Sequence, residues 1–329
     1  MSDPTYLSGI QPSGDLHLGN YFGAIREHVR ATELPGEHFY FIADYHSLTT
    51  LHDPERLRTL VREVAVAYFA LGLDPEHAVF FRQSDVPEVQ ELAWLLGCMT
   101  GMGLLERAHS YKDKVANGIK PNVGLFYYPV LMAADILAYD STHVPVGKDQ
   151  VQHVEMTVDM AGYFNNQYGE VFTKPKAQLA DVARFQKVPG TDGRKMSKSY
   201  GNTIWIFEEG KRLKKAVNQI PTDSRPPEEP KEPDELVVFD LLALFLDHDE
   251  LSDWKAKVRA GGEGAPGYGH LKQRLIGAIE EHFADARARR AELLGDPAEL
   301  DRLLARGAER ARERAVRVRD RAFKACGLR

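Results

Sequence analysis

The amino-acid sequence predicts an α/β fold: a doubly wound parallel sheet with helices on both faces, followed by an all-α part. Two observations lead to this prediction. In the first half of the 329-residue chain, short apolar runs alternate with longer stretches in which apolar residues recur at helical spacing. After Asn202 this alternation stops, and helical patterns separated by loop-forming stretches continue to the end of the chain.

Four short apolar runs predict the strands, at Tyr6–Ile10, His38–Ala43, Ala78–Arg82 and Thr142–Val146. The helices of this half are predicted at Leu18–Ala31, Pro54–Leu73, Pro87–Thr100, Pro129–Tyr139 and Asp149–Tyr168. Sheets of this kind bind ligands beyond the carboxyl ends of their strands. His17 and Asp44 both follow predicted strands, so we expect them at that edge.

The second half is divided by loop-forming segments. Residues 221–233 are dense in proline and glutamate, and residues 261–267 and 295–297 are rich in glycine and proline. Around these segments, helices are predicted at Glu235–Leu246, His248–Ala260, Tyr268–Leu294 and Ala298–Cys326.

Composition narrows the class of protein. The chain is 43% hydrophobic and long enough for one large domain and a smaller one. Its two cysteines, Cys98 and Cys326, are far apart and match no metal-ligand spacing, which fits a reducing compartment. No apolar run has the length of a membrane span, and the N-terminus lacks the pattern of a signal peptide. We therefore expect a cytoplasmic protein.

The net charge of −6 is unevenly distributed. Residues 287–329 contain 13 lysines and arginines against 7 acids, a net +6, which leaves −12 for the rest of the chain. Two interpretations of this basic segment stay open. It is either a face that attracts nucleic-acid phosphates or an arginine-rich helix paired with its own glutamates.

The segment between the first strand and the first helix has the pattern of an anion site. Residues 11–14 predict a turn, and the following helix would present free backbone N–H groups and the positive end of its dipole. Gly19 allows a ring or a ribose to approach the backbone. His17 and Asn20, three residues apart, offer hydrogen bonds to phosphate oxygens. Taken alone, His17 is better explained as a capping or core histidine.

A second segment, Lys195-Met196-Ser197-Lys198-Ser199, follows a stretch rich in glycine, proline and aspartate. Two lysines three residues apart on a mobile loop suit the charge that builds on nucleotide phosphates during a reaction. By itself such a loop is more often solvated surface. Its occurrence together with residues 17–20 favours nucleotide chemistry.

Together the two segments resemble the sequence marks of the class I aminoacyl-tRNA synthetases. His17–Asn20 resembles the His-x-Gly-His element, with asparagine in place of the second histidine, and Lys195–Ser199 matches the Lys-Met-Ser-Lys-Ser loop letter for letter. Residues 9–14, 128–139 and 144–150 resemble the tryptophanyl-tRNA synthetases, whose sister family is the tyrosyl-tRNA synthetases. The resemblance extends along nearly the whole chain.

The resemblance implies three parts. Residues 1–204 would form a Rossmann-like catalytic domain, residues 205–294 a helical anticodon-binding domain, and residues 295–329 a helix that packs back on the catalytic domain. It also implies a homodimer, with tRNA(Trp) lying across the two subunits.

The implied reaction has two steps. The carboxylate of L-tryptophan attacks the α-phosphate of ATP and releases pyrophosphate, with Mg²⁺ bridging the phosphates; the adenylate then passes its acyl group to the 3′-terminal adenosine of tRNA. The first step needs two anions held in line and compensation of charge, rather than a covalent nucleophile. The resemblance gives these catalytic roles to His17, Asn20, Lys114, Lys195 and Lys198. From the residues alone, Lys114 is a solvated helix end.

The resemblance also implies the ATP contacts, which are Gln11, Ser13, His17, Gly19, Asn20, Gly147, Asp149, Lys195, Met196, Ser197 and Lys198. Asp149 would accept hydrogen bonds from the ribose hydroxyls, and Gly147 would allow close approach. Asp149 is equally suited to cap the following helix.

Asp135 is the most informative residue for the amino-acid pocket. A carboxylate in an apolar helix is costly unless it has a partner, and the resemblance assigns it to the indole N–H, which can only donate. A tyrosine hydroxyl would also fit Asp135. Leu7 favours tryptophan, because tyrosyl enzymes carry a tyrosine there, although many tryptophanyl enzymes carry phenylalanine. The other implied pocket residues are Gly9, His46, Tyr128, Met132, Val144, Val146 and Gln150. Taken alone, Met132, Val144 and Val146 are more often plain core residues.

Two other classes of function share part of this pattern. A nucleotidylyltransferase has the same fold and the His-x-Gly element, but the long helical second half and residues 131–137 argue against it. A tRNA-binding relative without activity is disfavoured because both motifs are intact.

Overall fold

The computed structural model describes residues 3–12, 14–108, 118, 120–179 and 188–328, with the side chain of Asp149 left out. Its sheet has five parallel strands in the order β3-β2-β1-β4-β5. The strands are Thr5–Ile10 (β1), Glu37–Ile42 (β2), Val79–Arg82 (β3), His143–Val146 (β4) and Lys176–Leu179 (β5). The four predicted strands are confirmed to within one residue at either end; β5 was missed because Lys-Ala-Gln-Leu is short and only one of its residues is strongly apolar.

The described helices of the first half are Leu18–Ala31 (α1), Asp44–Ser47 (α2), Pro54–Ala70 (α3), Glu88–Met99 (α4), Met102–Glu106 (α5), Val123–Leu137 (α6) and Val151–Tyr168 (α7). Within α1, Tyr21–Ile25 is π-helical. Pro129, the predicted start of a helix, lies inside α6 instead. This helix begins one turn and a half earlier because the side chain of Asn122 accepts a hydrogen bond from the backbone N–H of Leu125, at 2.8 Å.

The described helices of the second half are Gly210–Asn218 (α8), Val237–Leu242 (α9), His248–Ala260 (α10), Tyr268–His282 (α11), Ala284–Gly295 (α12) and Pro297–Cys326 (α13). No helix was predicted over α8, and α9 is shorter than predicted. The single helix predicted over 268–294 was wrong: it breaks at Phe283, whose buried ring packs edge-on against Tyr21 at 5.0 Å. None of the described helices is both long and apolar enough to cross a membrane.

Helices cover both faces of the sheet, as predicted. Along β2, Phe39 and Phe41 belong to the apolar core on one face, and Tyr40 and Ile42 belong to the core on the other. A strand buried on both faces reads as a continuous apolar run, which is why β2 is easy to find in the sequence. A third core joins Leu18 of α1 to the helices that follow residue 205.

The last helix, α13, lies against the edge strand β3. A Cβ atom at Gly307 would lie 1.9 Å from the carbonyl oxygen of Phe80, so only glycine permits this approach of helix to strand. Five arginines of α13 pair with acids of the first half of the chain. The pairs are Arg306–Glu76, Arg312–Glu88, Arg314–Glu37, Arg319–Glu91 and Arg321–Asp140. These five arginines thus pair with acids of the first half of the chain rather than with glutamates of the helix itself.

Candidate active site

A cavity of about 440 Å³ lies where the strand order reverses, between β1 and β4. This is the switch point at which such sheets bind ligands. All nine residues that the resemblance implies for the amino-acid pocket line it, together with Gln11 and Gly147 of the implied ATP contacts. They are brought together from β1, β4, α2, α6 and the turn after β4. The cavity also has lining residues that sequence reasoning missed, among them Phe41 and Thr49.

Among the residues whose side chains the structure describes, Asp135 is the only acid that lines this cavity, and it is almost fully buried. Nε2 of His46 donates to its Oδ2 at 2.9 Å, and Nε2 of Gln83 donates to both carboxylate oxygens at 2.8 Å. Burial raises the pKa of Asp135, whereas the hydrogen bonds from His46 and Gln83 lower it. These bonds use three of roughly four acceptor positions on a carboxylate, which leaves one for a ligand donor.

Gln83 is a residue that sequence reasoning missed. It is buried at the end of β3, and its Oε1 accepts the backbone N–H of Tyr45 at 3.1 Å. Because the amide oxygen is taken by a backbone donor, the amide nitrogen must face Asp135. The signal in the sequence was a run of polar residues, Arg82 to Asp85, at the end of an apolar strand. Gln83 therefore fixes the orientation of the carboxylate without lining the cavity.

The apolar wall of the cavity comes largely from β1 and β2. Leu7 is buried in that wall. Phe41 lies opposite Gly9 in the strand register, and a Cβ atom at Gly9 would lie 2.5 Å from Cζ of the Phe41 ring. Gly9 is thus required for the ring to lie over β1. Phe41 gives the cavity an aromatic surface even though Leu7 replaces an expected ring.

Tyr128 and His46 form the polar side of the cavity, with their rings edge-on at 6.1 Å. The hydroxyl of Tyr128 is hydrogen-bonded to Nε2 of His153 on α7 at 2.7 Å. Burial raises the pKa of Tyr128 to about 12, so its hydroxyl remains protonated near neutral pH. Gln150 lies at the start of α7 and also faces the cavity.

The two motif segments, almost 180 residues apart in sequence, contact each other directly. Residues 16–18 pair with residues 204–206 as short antiparallel backbone: Leu18 N–H donates to the carbonyl of Ile204 at 3.0 Å, and Ile206 N–H donates to that of Leu16 at 3.1 Å. Met196 of the segment Lys195–Ser199, called the lysine loop below, is buried in the same core as Leu18. The lysine loop is therefore attached to the start of α1.

His17 caps α1, and its backbone N–H donates to Oδ1 of Asn20 at 3.0 Å. Burial, together with the charges of Lys198 and Lys195, lowers the pKa of His17 to about 4. The ring is therefore neutral near pH 7 and acts as a hydrogen-bonding group rather than a cation. A Cβ atom at Gly19 would lie 2.9 Å from this ring, so glycine is needed there for His17 to keep its position.

The backbone of the lysine loop is held by Asn202, another residue whose role sequence reasoning missed. Its Oδ1 accepts the N–H of Ser197 at 2.8 Å, and its Nδ2 donates to Asp192 at 2.6 Å and to the carbonyl of Lys195 at 3.2 Å. Burial lowers the pKa of Lys198, whose Nζ lies 6.0 Å from the centre of the Trp205 ring. The loop thus has a fixed backbone from which its lysines extend.

Three implied contacts fall outside what the structure describes: Ser13, Lys114 and the side chain of Asp149. The implied ATP contacts that the structure does describe form two groups. Gln11 and Gly147 line the cavity, whereas His17, Gly19, Asn20 and residues 195–198 lie around the start of α1.

Comparisons with known proteins agree with this architecture. The family model for class I tRNA synthetases (W and Y) matches residues 1–284. The tryptophan–tRNA ligase of Rhodopirellula baltica is 54% identical over 323 residues, covering 98% of this chain and 99% of the relative. The same ligase of Campylobacter jejuni (strain RM1221) is 48% identical over 322 residues, covering 98% of this chain and 99% of the relative.

Solved structures give the same result. The tryptophanyl-tRNA synthetase of C. jejuni in complex with ADP and tryptophan superposes with a TM-score of 0.93 at 48% identity, over 98% of this chain and 100% of that one. A tyrosyl-tRNA synthetase of Archaeoglobus fulgidus, 19% identical, covers 87% of this chain and 90% of that one, and shares the fold with a TM-score of 0.62. The chain thus belongs to the class I tRNA synthetases of the tryptophan and tyrosine family.

Proposed function

We propose that this protein is a tryptophan–tRNA ligase. It activates L-tryptophan with ATP to tryptophanyl-adenylate and pyrophosphate, and then transfers tryptophan to the 3′-terminal adenosine of tRNA(Trp). The observation that carries the proposal is the cavity, in which a buried carboxylate with one acceptor position left faces apolar and aromatic walls. Its volume of about 440 Å³ lies within the range of roughly 300–1,000 Å³ found for small-molecule sites.

Tryptophan binds with its indole N–H donating to Asp135. Leu7, Met132, Val144 and Val146 contact the ring faces, and Gly9 leaves room beside them. His46, Tyr128 and Gln150 lie near the amino group and the carboxylate of the substrate. A tyrosine hydroxyl would also donate to Asp135, but it needs a second partner, and Leu7 offers none. Unpaired buried polar groups of this kind support large discrimination between related substrates.

The ATP phosphates bind at the start of α1, where His17 and Asn20 meet the lysine loop. Gln11, Ser13 and Gly19 contact the nucleotide beside them, and Gly147 and Asp149 contact the ribose. Lys195, Lys198 and Lys114 compensate the charge that develops on pyrophosphate. The lysines around this site are unsuited to ligate a metal, so Mg²⁺ would be held by ATP itself and would supply further positive charge at the phosphates. Closure of the lysine loop on ATP, through Met196 and Ser197, completes the site.

The tRNA is contacted by a basic face of α8. Lys211, Lys214 and Lys215 have the spacing i, i+3, i+4 that places them on one side of the helix, while Leu213 and Val217 are buried on the other. The three lysines are exposed, and no described residue forms an ion pair or a hydrogen bond with their side chains. Like charges at this spacing, in a helix without an acid in its first turn, destabilise it. Binding of RNA phosphates accounts for their presence.

Replacing Lys211, Lys214 and Lys215 together by alanine is expected to raise the KM for tRNA(Trp) about tenfold and to flatten its dependence on salt, because fewer counterions are released on binding. Tryptophan-dependent exchange of pyrophosphate into ATP stays at the wild-type rate. The matched control replaces Lys255 and Lys257 of α10, which are already paired with Asp234 and Asp253. An unchanged KM for tRNA in the α8 variant, or equal changes in the α8 and α10 variants, would show that this face of α8 does not bind tRNA.

We also propose that the protein is a cytoplasmic homodimer. Trp94 on α4, Met102 on α5 and Val123 at the start of α6 are large apolar residues with exposed side chains. Met102 and Val123 flank one largely apolar groove, which also contains Phe126 and Tyr127. Apolar surface of this kind is typical of protein–protein interfaces. Light scattering of the wild type is expected to give twice the chain mass of 36.9 kDa. Val123→Glu is expected to reduce the measured mass to that of a monomer. A monomeric wild type would contradict the proposal.

The experiment that tests the proposed function is aminoacylation. Purified protein with ATP, Mg²⁺ and labelled tryptophan is expected to charge tRNA(Trp) and to leave tRNA(Tyr) uncharged. Charging of tRNA(Tyr) with tyrosine instead would assign the protein to the sister enzyme. Transfer of AMP from ATP to an acceptor other than an amino acid would identify a nucleotidylyltransferase. Binding of tRNA without any turnover would identify an inactive relative.

A further inference from the structure

Two cationic side chains converge on the turn that precedes α1. Gly14 has a φ of +115°, a backbone conformation that favours glycine. A Cβ atom built on it would lie 3.0 Å from Nζ of Lys198 and 3.8 Å from Nη2 of Arg56. The two cations therefore share one small volume beside the backbone of residue 14. Lys198 comes from the lysine loop. Arg56 comes from the first turn of α3, a helix that lies outside both sequence motifs.

Arg56 differs from the other arginine in the first turns of α3. Its backbone N–H donates to the capping carboxylate of Asp53 at 3.0 Å, but no described residue forms an ion pair or a hydrogen bond with its guanidinium. Arg58, two residues later, pairs with Glu55 at 3.5 Å. Most arginines of α13 are likewise paired with acids. Arg56 thus carries an exposed guanidinium that has no partner among the described residues and that lies beside a second cation.

Two electrostatic effects act against a cation at Arg56 in the free protein. A cation in the first turn of the 17-residue helix α3 opposes the positive end of the helix dipole. It also stands beside Lys198, and its charge helps to lower the pKa of that lysine. Asp15 acts in the opposite direction on Lys198, yet the pKa remains lowered overall, with burial as the main cause. Residues that break local rules in this way are concentrated at functional sites.

An anion between the two cations removes the repulsion. The turn at Gly14 leads directly into the start of α1, where the phosphates of ATP bind in the proposed function. We infer that Arg56 binds the terminal phosphates of ATP, those that leave as pyrophosphate, together with Lys198. This inference rests on the proposed nucleotide site and adds to it a residue from a separate helix. The planar guanidinium is suited to hold two phosphate oxygens at once.

Calorimetric titration of ATP, and separately of pyrophosphate, tests the inference without requiring turnover. Three variants are compared with the wild type: Arg56→Ala, Arg56→Lys and, as matched control, Arg58→Ala. Arg56→Ala is expected to raise both dissociation constants about tenfold, as for loss of one charge-assisted hydrogen bond. Arg56→Lys recovers part of the affinity, because it keeps the charge but loses the bidentate geometry. In Arg58→Ala both dissociation constants are expected to stay at wild-type values. The affinity for tryptophan is expected to be unchanged in all three variants.

The outcomes separate this inference from the proposed function. Wild-type dissociation constants in Arg56→Ala, or equal losses in Arg56→Ala and Arg58→Ala, overturn the role of Arg56 even if the wild type is a fully active ligase. A tenfold loss confined to Arg56→Ala supports it even if the amino acid activated is not tryptophan. Equal thermal midpoints of all variants show that the affinities compare folded proteins.

Discussion

Asp135→Ala is expected to raise the KM for tryptophan by about 100-fold or more in the pyrophosphate exchange assay, while the KM for ATP stays within about twofold. Removal of the carboxylate takes away the acceptor for the indole N–H. It also leaves the donors of buried Gln83 and partly buried His46 without this partner. A hydrogen bond to a charged group contributes roughly 1.5–3 kcal/mol, and each unsatisfied buried group costs about 1–3 kcal/mol.

The control for this prediction is Asp159→Ala, an exposed acid on α7 outside the cavity, which is expected to behave as wild type. Asp135→Asn gives a second comparison. It preserves the shape but turns an amide N–H₂ toward donors, so an intermediate KM is expected. A tryptophan KM in Asp135→Ala equal to that of the wild type would remove Asp135 from the pocket.

Lys195→Ala is expected to slow adenylate formation by about 100- to 1,000-fold, the range found when one group that stabilises transition-state charge is removed. Tryptophan binding measured by calorimetry should remain near the wild-type value, because the loop lysines lie near His17 rather than in the lining of the cavity. The rate is measured as tryptophan-dependent exchange of labelled pyrophosphate at saturating ATP.

Lys324→Ala, an exposed lysine on α13, serves as the control for Lys195→Ala. A wild-type exchange rate in Lys195→Ala would contradict the role of the loop in charge compensation. An equal loss of rate in both variants would show a general effect on the protein. Lys195 and Lys198 in the same place with and without ATP would argue against closure of the loop.

The sequence predicts the sheet well because its central strands are buried on both faces. Phe39, Tyr40, Phe41 and Ile42 of β2 form an uninterrupted apolar run for that reason. The edge strand β5 lacks such a run, since its residues are largely exposed. The break at Phe283 depends on contacts with Tyr21 and Phe245, which are distant in sequence, and no local glycine or proline announces it.

In the candidate site, too, some residues could be recognised from the sequence and others could not. Asp135 was recognisable because a charged residue in an apolar helix implies a partner. The roles of Gln83, Asn202 and Phe41 were not recognisable, because each depends on a neighbour that only the fold supplies. Gln83 acts on the carboxylate of Asp135, Asn202 holds the backbone of the lysine loop, and Phe41 packs over Gly9 on the adjacent strand. The charge of α13 was visible in the sequence, but its acidic partners on the first half of the chain were not.

The measurement that tests the central claim most directly is pyrophosphate exchange into ATP with each of the twenty amino acids in turn. The structure places one buried acceptor, Asp135, in a cavity whose other walls are mostly apolar. We expect exchange well above background with tryptophan and none with the other nineteen, tyrosine included. Exchange with tyrosine and not with tryptophan, or no exchange with any amino acid, would contradict the account.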